Sequence, residues 1–313
     1  MTQNLTLQHI IDNRAALLAE LIRRQAIVRD YVRGVAHQYD TGLYLFGRPG
    51  TSKTHTVRSI LEEEIREIYV YQRGHLTPVG LFELIAEHPD DVIVLDDLVT
   101  IFRSEVALQI LLSALEHPSP GDRTRTRVVK YRRKGEEVRA PFRGGIICIS
   151  NRELHDDELL GAFKSRVHTL NYDPSDAQLG ALMLDLAERG VLPVPPEEAG
   201  LVARYVIEAM LRQGCRFDLR LFVNKAIPDY IQWKDDETES DWRDLVTASI
   251  EEHLVVVRHA VERPSRADRK EEEHALIRQI EKDYPAGEAR VRAWLERTGK
   301  SARAFYRRLA EMR

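Results

Sequence analysis

The octet Gly47-Arg48-Pro49-Gly50-Thr51-Ser52-Lys53-Thr54 follows an apolar run, Gly42 to Phe46, and precedes a segment with helical spacing. That arrangement suits a loop that cradles phosphate. Successive backbone N–H groups curl around the oxygens at a helix N-terminus, a lysine neutralises their charge, and the next hydroxyl holds a divalent cation. Lys53 would reach the terminal phosphates and Thr54 would ligate Mg2+, while Gly47 and Gly50 give the loop its permissive dihedrals. Ser52 stands where the usual pattern has glycine. A hydroxymethyl group is tolerated there at negative φ, so the position is expected to need room more than handedness.

The run Val92 to Asp97, VIVLDD, ends in two acids. At the C-terminal end of a strand such acids face the crevice where open α/β sheets bind ligands. Asp96 would complete the coordination of the cation, and Asp97 would orient or deprotonate an attacking water. Loop and acid pair are the two halves of a nucleotide-hydrolysing site.

Short apolar runs alternate with helical patterns from residue 41 onward: GLYLFG, IYVYQ, DVIVLDD, GGIICISN and RVHTLNY, separated by stretches with i, i+3, i+4 apolar spacing. This predicts an α/β fold in which helices sandwich a parallel sheet, followed by an all-α lid and a tri-helical C-terminal domain. The expected divisions are an N-terminal helical segment 1–40, a base domain 41–173, a helical lid 174–235, a linker helix 236–273 and a final domain 274–313. DDETES at 235 and RPSRADRKEEE at 263 read as solvated linker flanking the helix of that fourth segment.

Over residues 41 to 235 the chain resembles the AAA+ ATPases, on the strength of GRPGTSKT, VIVLDD and IICISN. The resemblance implies ATP and Mg2+ as ligands and a ring or helical assembly of copies, a hexamer above all. It implies that Asn151, ending the strand between loop strand and acid strand, positions water near the γ-phosphate. Arg166 would enter the nucleotide of a neighbouring copy, and Arg220 would touch the nucleotide from the lid. An Asp-Asp pair replaces the commoner Asp-Glu, so slow turnover is expected. Ser52 and a hairpin before Asn151 resemble the MCM-like and MoxR-like branch.

That hairpin is read from RVVKY and EVRAPF around RRKGE, with Gly135 at the turn. Arg127, Lys130, Arg132, Arg133 and Lys134 would give a channel a basic collar for nucleic acid, with Tyr131 adding stacking. The tail reads as three helices with TGKS as a tight turn, an arrangement similar to a helix-turn-helix module. Ser301 would cap the last helix, Arg303, Arg307 and Arg308 would face DNA, and Lys300 would lie near phosphates. Ile277, Ile280, Val291, Trp294, Leu295, Phe305 and Leu309 would form the core.

A formal charge of -4 over 313 residues gives no global attraction to nucleic acid or membrane, so basic surface must be local. Cys148 and Cys215 lie far apart in apolar contexts, no His shows metal-ligand spacing, and no apolar run is long enough to span a bilayer. A cytoplasmic protein without zinc or disulfide is expected. The function expected is ATP-driven remodelling of DNA or a DNA-bound complex, as in a replication initiator, helicase or helicase loader. A MoxR-like protein remodeller and an ATP-dependent oligomeric switch are the alternatives.

Overall fold

Four runs rich in Ile, Val, Leu and Tyr, with the short exposed run HTLN at one edge, form one parallel sheet, because residues alternating along the central strands bury themselves against helices on opposite faces. The computed structural model describes residues 5–66, 68–98, 100–118, 124–133, 136–154, 158–262, 266–284 and 287–312, with backbone alone at 133, 255–262 and 266–272. Helices α1 (Leu7–Asp12) and α2 (Arg14–Ala36) lead into β1 (Gly42–Phe46). α3 (Lys53–Ile65), β2 (Tyr69–Arg73), α4 (Pro78–Glu87), β3 (Val92–Asp96) and α5 (Glu105–Ala114) follow. A hairpin of β4 (Arg127–Arg133) and β5 (Glu136–Phe142) precedes β6 (Gly145–Ser150), α6 (Glu158–Lys164) and β7 (His168–Asn171).

The strand order is β2-β3-β6-β1-β7, so the Asn151 strand lies between the loop strand and the acid strand, as the resemblance implied. Phe46 pairs with Ser150, and Asp96 with Ile149. This register brings the C-terminal ends of β1, β6 and β3 level, and with them the phosphate loop, Asn151 and the acid pair. Leu43, Leu45, Val92, Val94, Ile147 and Ile149 pack against α2 and α3. Tyr44, Ile93, Leu95, Ile146 and Cys148 face α4, α5 and α6.

The lid begins at a capping box, in which the Ser175 hydroxyl accepts from the Gln178 N–H and the Gln178 side chain accepts from the Ser175 N–H. It comprises α7 (Asp176–Arg189), α8 (Pro196–Arg212), α9 (Leu219–Leu221), a π-helical turn Phe222–Ala226 and α10 (Ile227–Lys234). Then come α11 (Trp242–Glu262), α12 (Arg266–Asp283), α13 (Glu288–Thr298) and α14 (Ala302–Ala310). The chain divides into two compact units, Met1–Ile250 and Glu251–Arg313. The charged run expected as linker is helical from Arg266, since Ala, Arg, Lys and Glu favour helix whatever their polarity.

In the second unit Ile277, Ile280, Ala293, Trp294 and Phe305 form the core, with Val291 and Leu309 packed on it. Leu295, expected inside, is 51% exposed. Gly299 closes α13 in the left-handed region and makes the tight turn. Ser301 precedes α14 in extended conformation, but its hydroxyl makes no capping bond. Arg308 does not stand free as expected: its guanidinium is held by Glu273 and Glu311, whereas Lys300 is exposed with its ammonium paired to the same Glu273. Arg303 and Arg307 are exposed. Both cysteines are buried and free, and among the described residues no helix is long and apolar enough to cross a membrane.

Candidate active site

The loop between β1 and α3 is shaped by close approach. A Cβ on Gly50, at φ 73°, would stand 1.9 Å from Asp218 Oδ1, and one on Gly47 would stand 2.1 Å from the Tyr172 carbonyl oxygen. Ser52 corrects the expectation of negative φ: it lies at φ 65°, ψ 15°, and its hydroxyl makes no capping bond to α3. Handedness as well as room is therefore at issue, and a left-handed L-residue costs roughly 1–2 kcal/mol. Asp97 is also left-handed, at φ 55°. Two non-glycine residues in that region at one site mark stored strain.

Two hydrogen-bonded chains converge on the loop. In the first, Lys53 Nζ donates to the carbonyls of Gly47 at 2.8 Å and Arg48 at 2.6 Å, and to Asn151 Oδ1 at 3.1 Å. The Asn151 amide in turn donates to Asp97 Oδ1 at 2.9 Å. In the second, the Thr54 hydroxyl donates to Asp96 Oδ2 at 2.9 Å, and the Tyr71 hydroxyl donates to the same oxygen at 2.5 Å. Asp96 is 3% exposed, and a carboxylate so placed needs these donors.

Burial pushes the Lys53 ammonium down to about 8, against the pull of Asp97 and Asp96 and together with repulsion from Arg220. Burial and the adjacent Asp96 carboxylate hold Asp97 above its ordinary value, opposed by Lys53, Arg73 and Arg220. The site thus keeps a cation and an anion both short of full solvation, linked through one amide. A phosphate group arriving at Lys53 would restore the charge that burial disfavours.

The lid closes one side. Leu219 N–H donates to the Gly50 carbonyl at 3.0 Å, and Arg48 Nε and Nη1 pair with Asp173 and Asp176 at 2.7 Å. Arg48 also donates to the carbonyls of Pro174 and Phe217, so it fastens the loop to the lid entrance. Gly50, Thr51, Ser52, Lys53, Thr54, Asp96, Asp97, Asn151 and Arg220 line a cleft of about 990 Å3; Gly47, Arg48 and Pro49 lie outside its lining. Gln25, Val223 and Asn224 also belong to its lining. Arg166 is not in the cleft: its Nη1 donates to the Ala162 carbonyl at 2.9 Å.

Tyr71 was not among the residues expected at the site, because the pattern YVYQR carries only strand propensity. The hairpin departs from expectation more. Arg127 is 7% exposed, its guanidinium bound to the carbonyls of Phe142 and Gly144 and set 4.9 Å from the Phe142 ring centre. Tyr131 packs on Phe82 at 5.6 Å instead of standing free to stack. Lys130 and Arg132 are exposed; the Arg133 side chain, Lys134 and Gly135 lie outside the described residues.

No protein-family model and no curated protein matches the chain. Among solved structures, NtrX from Brucella abortus in complex with ATP aligns at 15% identity over 94% of this chain and 67% of that one, with a TM-score of 0.44. The same protein in complex with ADP aligns at 17% identity over 91% and 67%, also at 0.44. A likeness of that size carries no weight for the chemistry of the site.

Ser52→Gly relieves the left-handed strain and gives up no capping bond. It should raise the thermal unfolding midpoint by an amount worth about 1 kcal/mol or somewhat less, since glycine's greater freedom in the unfolded chain offsets part of the gain. An unchanged or lower midpoint would contradict the strain. Tyr71→Phe keeps the ring and deletes one of the two hydroxyl donors to the buried Asp96 carboxylate. It should lower stability by about 1–2 kcal/mol, read from the midpoint of denaturant unfolding; an unchanged midpoint would contradict the bond.

Proposed function

We propose that the chain is an ATPase of the AAA+ type that takes ATP with Mg2+ in the cleft between loop and lid. The observation that supports this most is the convergence of Lys53–Asn151–Asp97 and Thr54–Asp96 on one loop at a helix N-terminus. Thr54 and Asp96 would hold Mg2+, which when bound neutralises charge on the phosphate oxygens. Among the described residues no cluster of three or more His, Cys, Asp or Glu could hold a metal alone. A hydroxyl and a carboxylate suit an ion that draws the rest of its shell from phosphate and water.

Lys53 would neutralise the terminal phosphates, exchanging carbonyl partners for phosphate oxygens. Asp97 would orient water for attack on the γ-phosphorus and draw off its proton as the bond to the β–γ bridging oxygen breaks, releasing ADP and phosphate. Asn151 would hold Asp97 and the water in line. Arg220, extending from the start of α9, would meet the phosphates from the lid. Arg166, turned away from its own cleft, would serve a neighbouring copy in a ring or helical oligomer.

We place the work of this ATPase on DNA or a DNA-bound complex, a reading that draws on Lys130 and Arg132 at the hairpin's exposed face and on Arg303 and Arg307 of α14. Arg127 does not contribute, because it is buried at the base of the hairpin, and Lys300 and Arg308 contribute less, because both are paired with Glu273. A protein substrate is the alternative for the same hairpin.

Asp97→Asn should bind ATP as wild type does and lose turnover by about 100-fold or more, whereas Lys53→Ala should lose ATP binding. Measured by nucleotide titration and phosphate release, turnover unaffected by Asp97→Asn would leave an ATP-dependent switch as the better reading. For DNA, Arg303→Ala and Arg307→Ala should each flatten the salt dependence of binding by about one unit of log–log slope. Lys300→Ala should change that slope less and lower stability. No binding to DNA at low salt would favour the protein substrate.

A further inference from the structure

At the opposite edge of the sheet, where the strands begin, Thr41 and Gly144 enter β1 and β6 beside a second cavity of about 250 Å3. Its wall contains Arg125, Arg127, Arg143 and His117, against the carboxylate of Asp40. Asp40 Oδ1 is already 3.0 Å from His168 Nε2, and Arg143 is held bidentately by Asp90 at 2.6 and 2.8 Å. That leaves Arg125 and Arg127, neither of which has a carboxylate partner among the described residues.

Arg127 is the unusual member. It is more than nine-tenths buried, and its Nη1 is buried without any hydrogen-bond partner. The carbonyls of Phe142 and Gly144 satisfy Nε and Nη2 but bring no opposite charge. Burial alone draws its guanidinium down to about 10. It therefore stays charged near neutrality, and a buried charge without a counter-charge is costly. A guanidinium anchoring the base of the hairpin would explain the two bonded nitrogens, but neither the third nor the second arginine beside it. An anion would answer both.

We propose that this cavity binds the phosphoryl group of a small phosphorylated compound, with Arg125 and Arg127 as its ligands. Planar guanidiniums match phosphate oxygens in pairs. The cavity is concave and about a quarter the volume of the nucleotide cleft, so it suits a phosphate with a small organic portion. Tyr39 at its rim is 80% exposed and would flank that portion. The site lies within the first unit and is independent of the ATPase reading.

The test uses the full chain carrying Lys53→Ala, so that the phosphate loop contributes little, and titrates inorganic phosphate at constant ionic strength by calorimetry. Saturable binding is expected, weakened about tenfold or more by Arg125→Ala, which lies at the exposed surface and leaves the core intact, and abolished by Arg127→Met. Absence of saturable binding, or binding that survives both substitutions, overturns the proposal. A single-stranded oligonucleotide is the second probe. It is expected not to displace bound phosphate at matched ionic strength; displacement would put a nucleic-acid backbone in the cavity and overturn the small-molecule assignment.

Discussion

The side-chain amide of Asn151 joins the buried Lys53 of the loop to Asp97, the acid proposed to activate water, and the register of the sheet puts it there. Its Oδ1 accepts from Lys53 and its Nδ2 donates to Asp97. An amide can make both bonds at once only if three strand ends stand level, which the parallel register of β1, β6 and β3 ensures. A slip of one residue in β6 would turn Asn151 to the other face of the sheet. The apolar packing on both faces fixes that register, so the core acts on the chemistry through the alignment of three termini.

Holding these groups together is costly, and the cost is concentrated at the strand ends. Ser52 and Asp97 are both left-handed, and Lys53 and Asp97 are both displaced from their ordinary ionisation by burial. Such conformations persist when the surroundings over-determine them. Here the restraint comes from Arg48, clasped by Asp173 and Asp176, and from Gly50, pressed against Asp218 and bonded to Leu219. All four partners lie at the lid or its entrance. The strained loop and the start of the lid are thus held by the same contacts.

The parallel sheet and the candidates Lys53, Thr54, Asp96 and Asp97 were legible in the sequence because each rests on local pattern: apolar runs, a turn-rich octet, acids at a strand end; the central place of the Asn151 strand came only from the resemblance. What was not legible depends on contacts between distant segments. Nothing in GRPGTSKT states that Ser52 has positive φ, nor that Asp218 and Tyr172 crowd the two glycines of the loop. Tyr71 meets Asp96 because β2 lies beside β3, and the residue type alone does not say which face of a strand it occupies. Arg127 reads as one of a row of cations, yet alternation in β4 sends it inward with Val129 while Lys130 and Arg132 point out. The ion pairs of Lys300 and Arg308 were hidden for a related reason: Glu273, on α12, comes to them only in the folded unit.

The two edges of the sheet solve the burial of charge differently. At the C-terminal edge Asp96 has two hydroxyl donors, Asp97 an amide, and Lys53 two carbonyls and an amide, with both signs present within one cleft. The remaining deficit there is modest. At the N-terminal edge Arg127 has carbonyl dipoles and an aromatic face but no anion among the described residues. Lysine in that position could neutralise itself by losing a proton, as the lowered Lys53 illustrates; a guanidinium at neutral pH cannot. The fold carries that uncompensated charge at the base of the hairpin, beside a cavity wide enough to admit a counter-charge, and the same guanidinium bonds the last residue of β5 and the residue that leads into β6. An anion bound there would bear directly on the entry of β6, the strand that Asn151 follows.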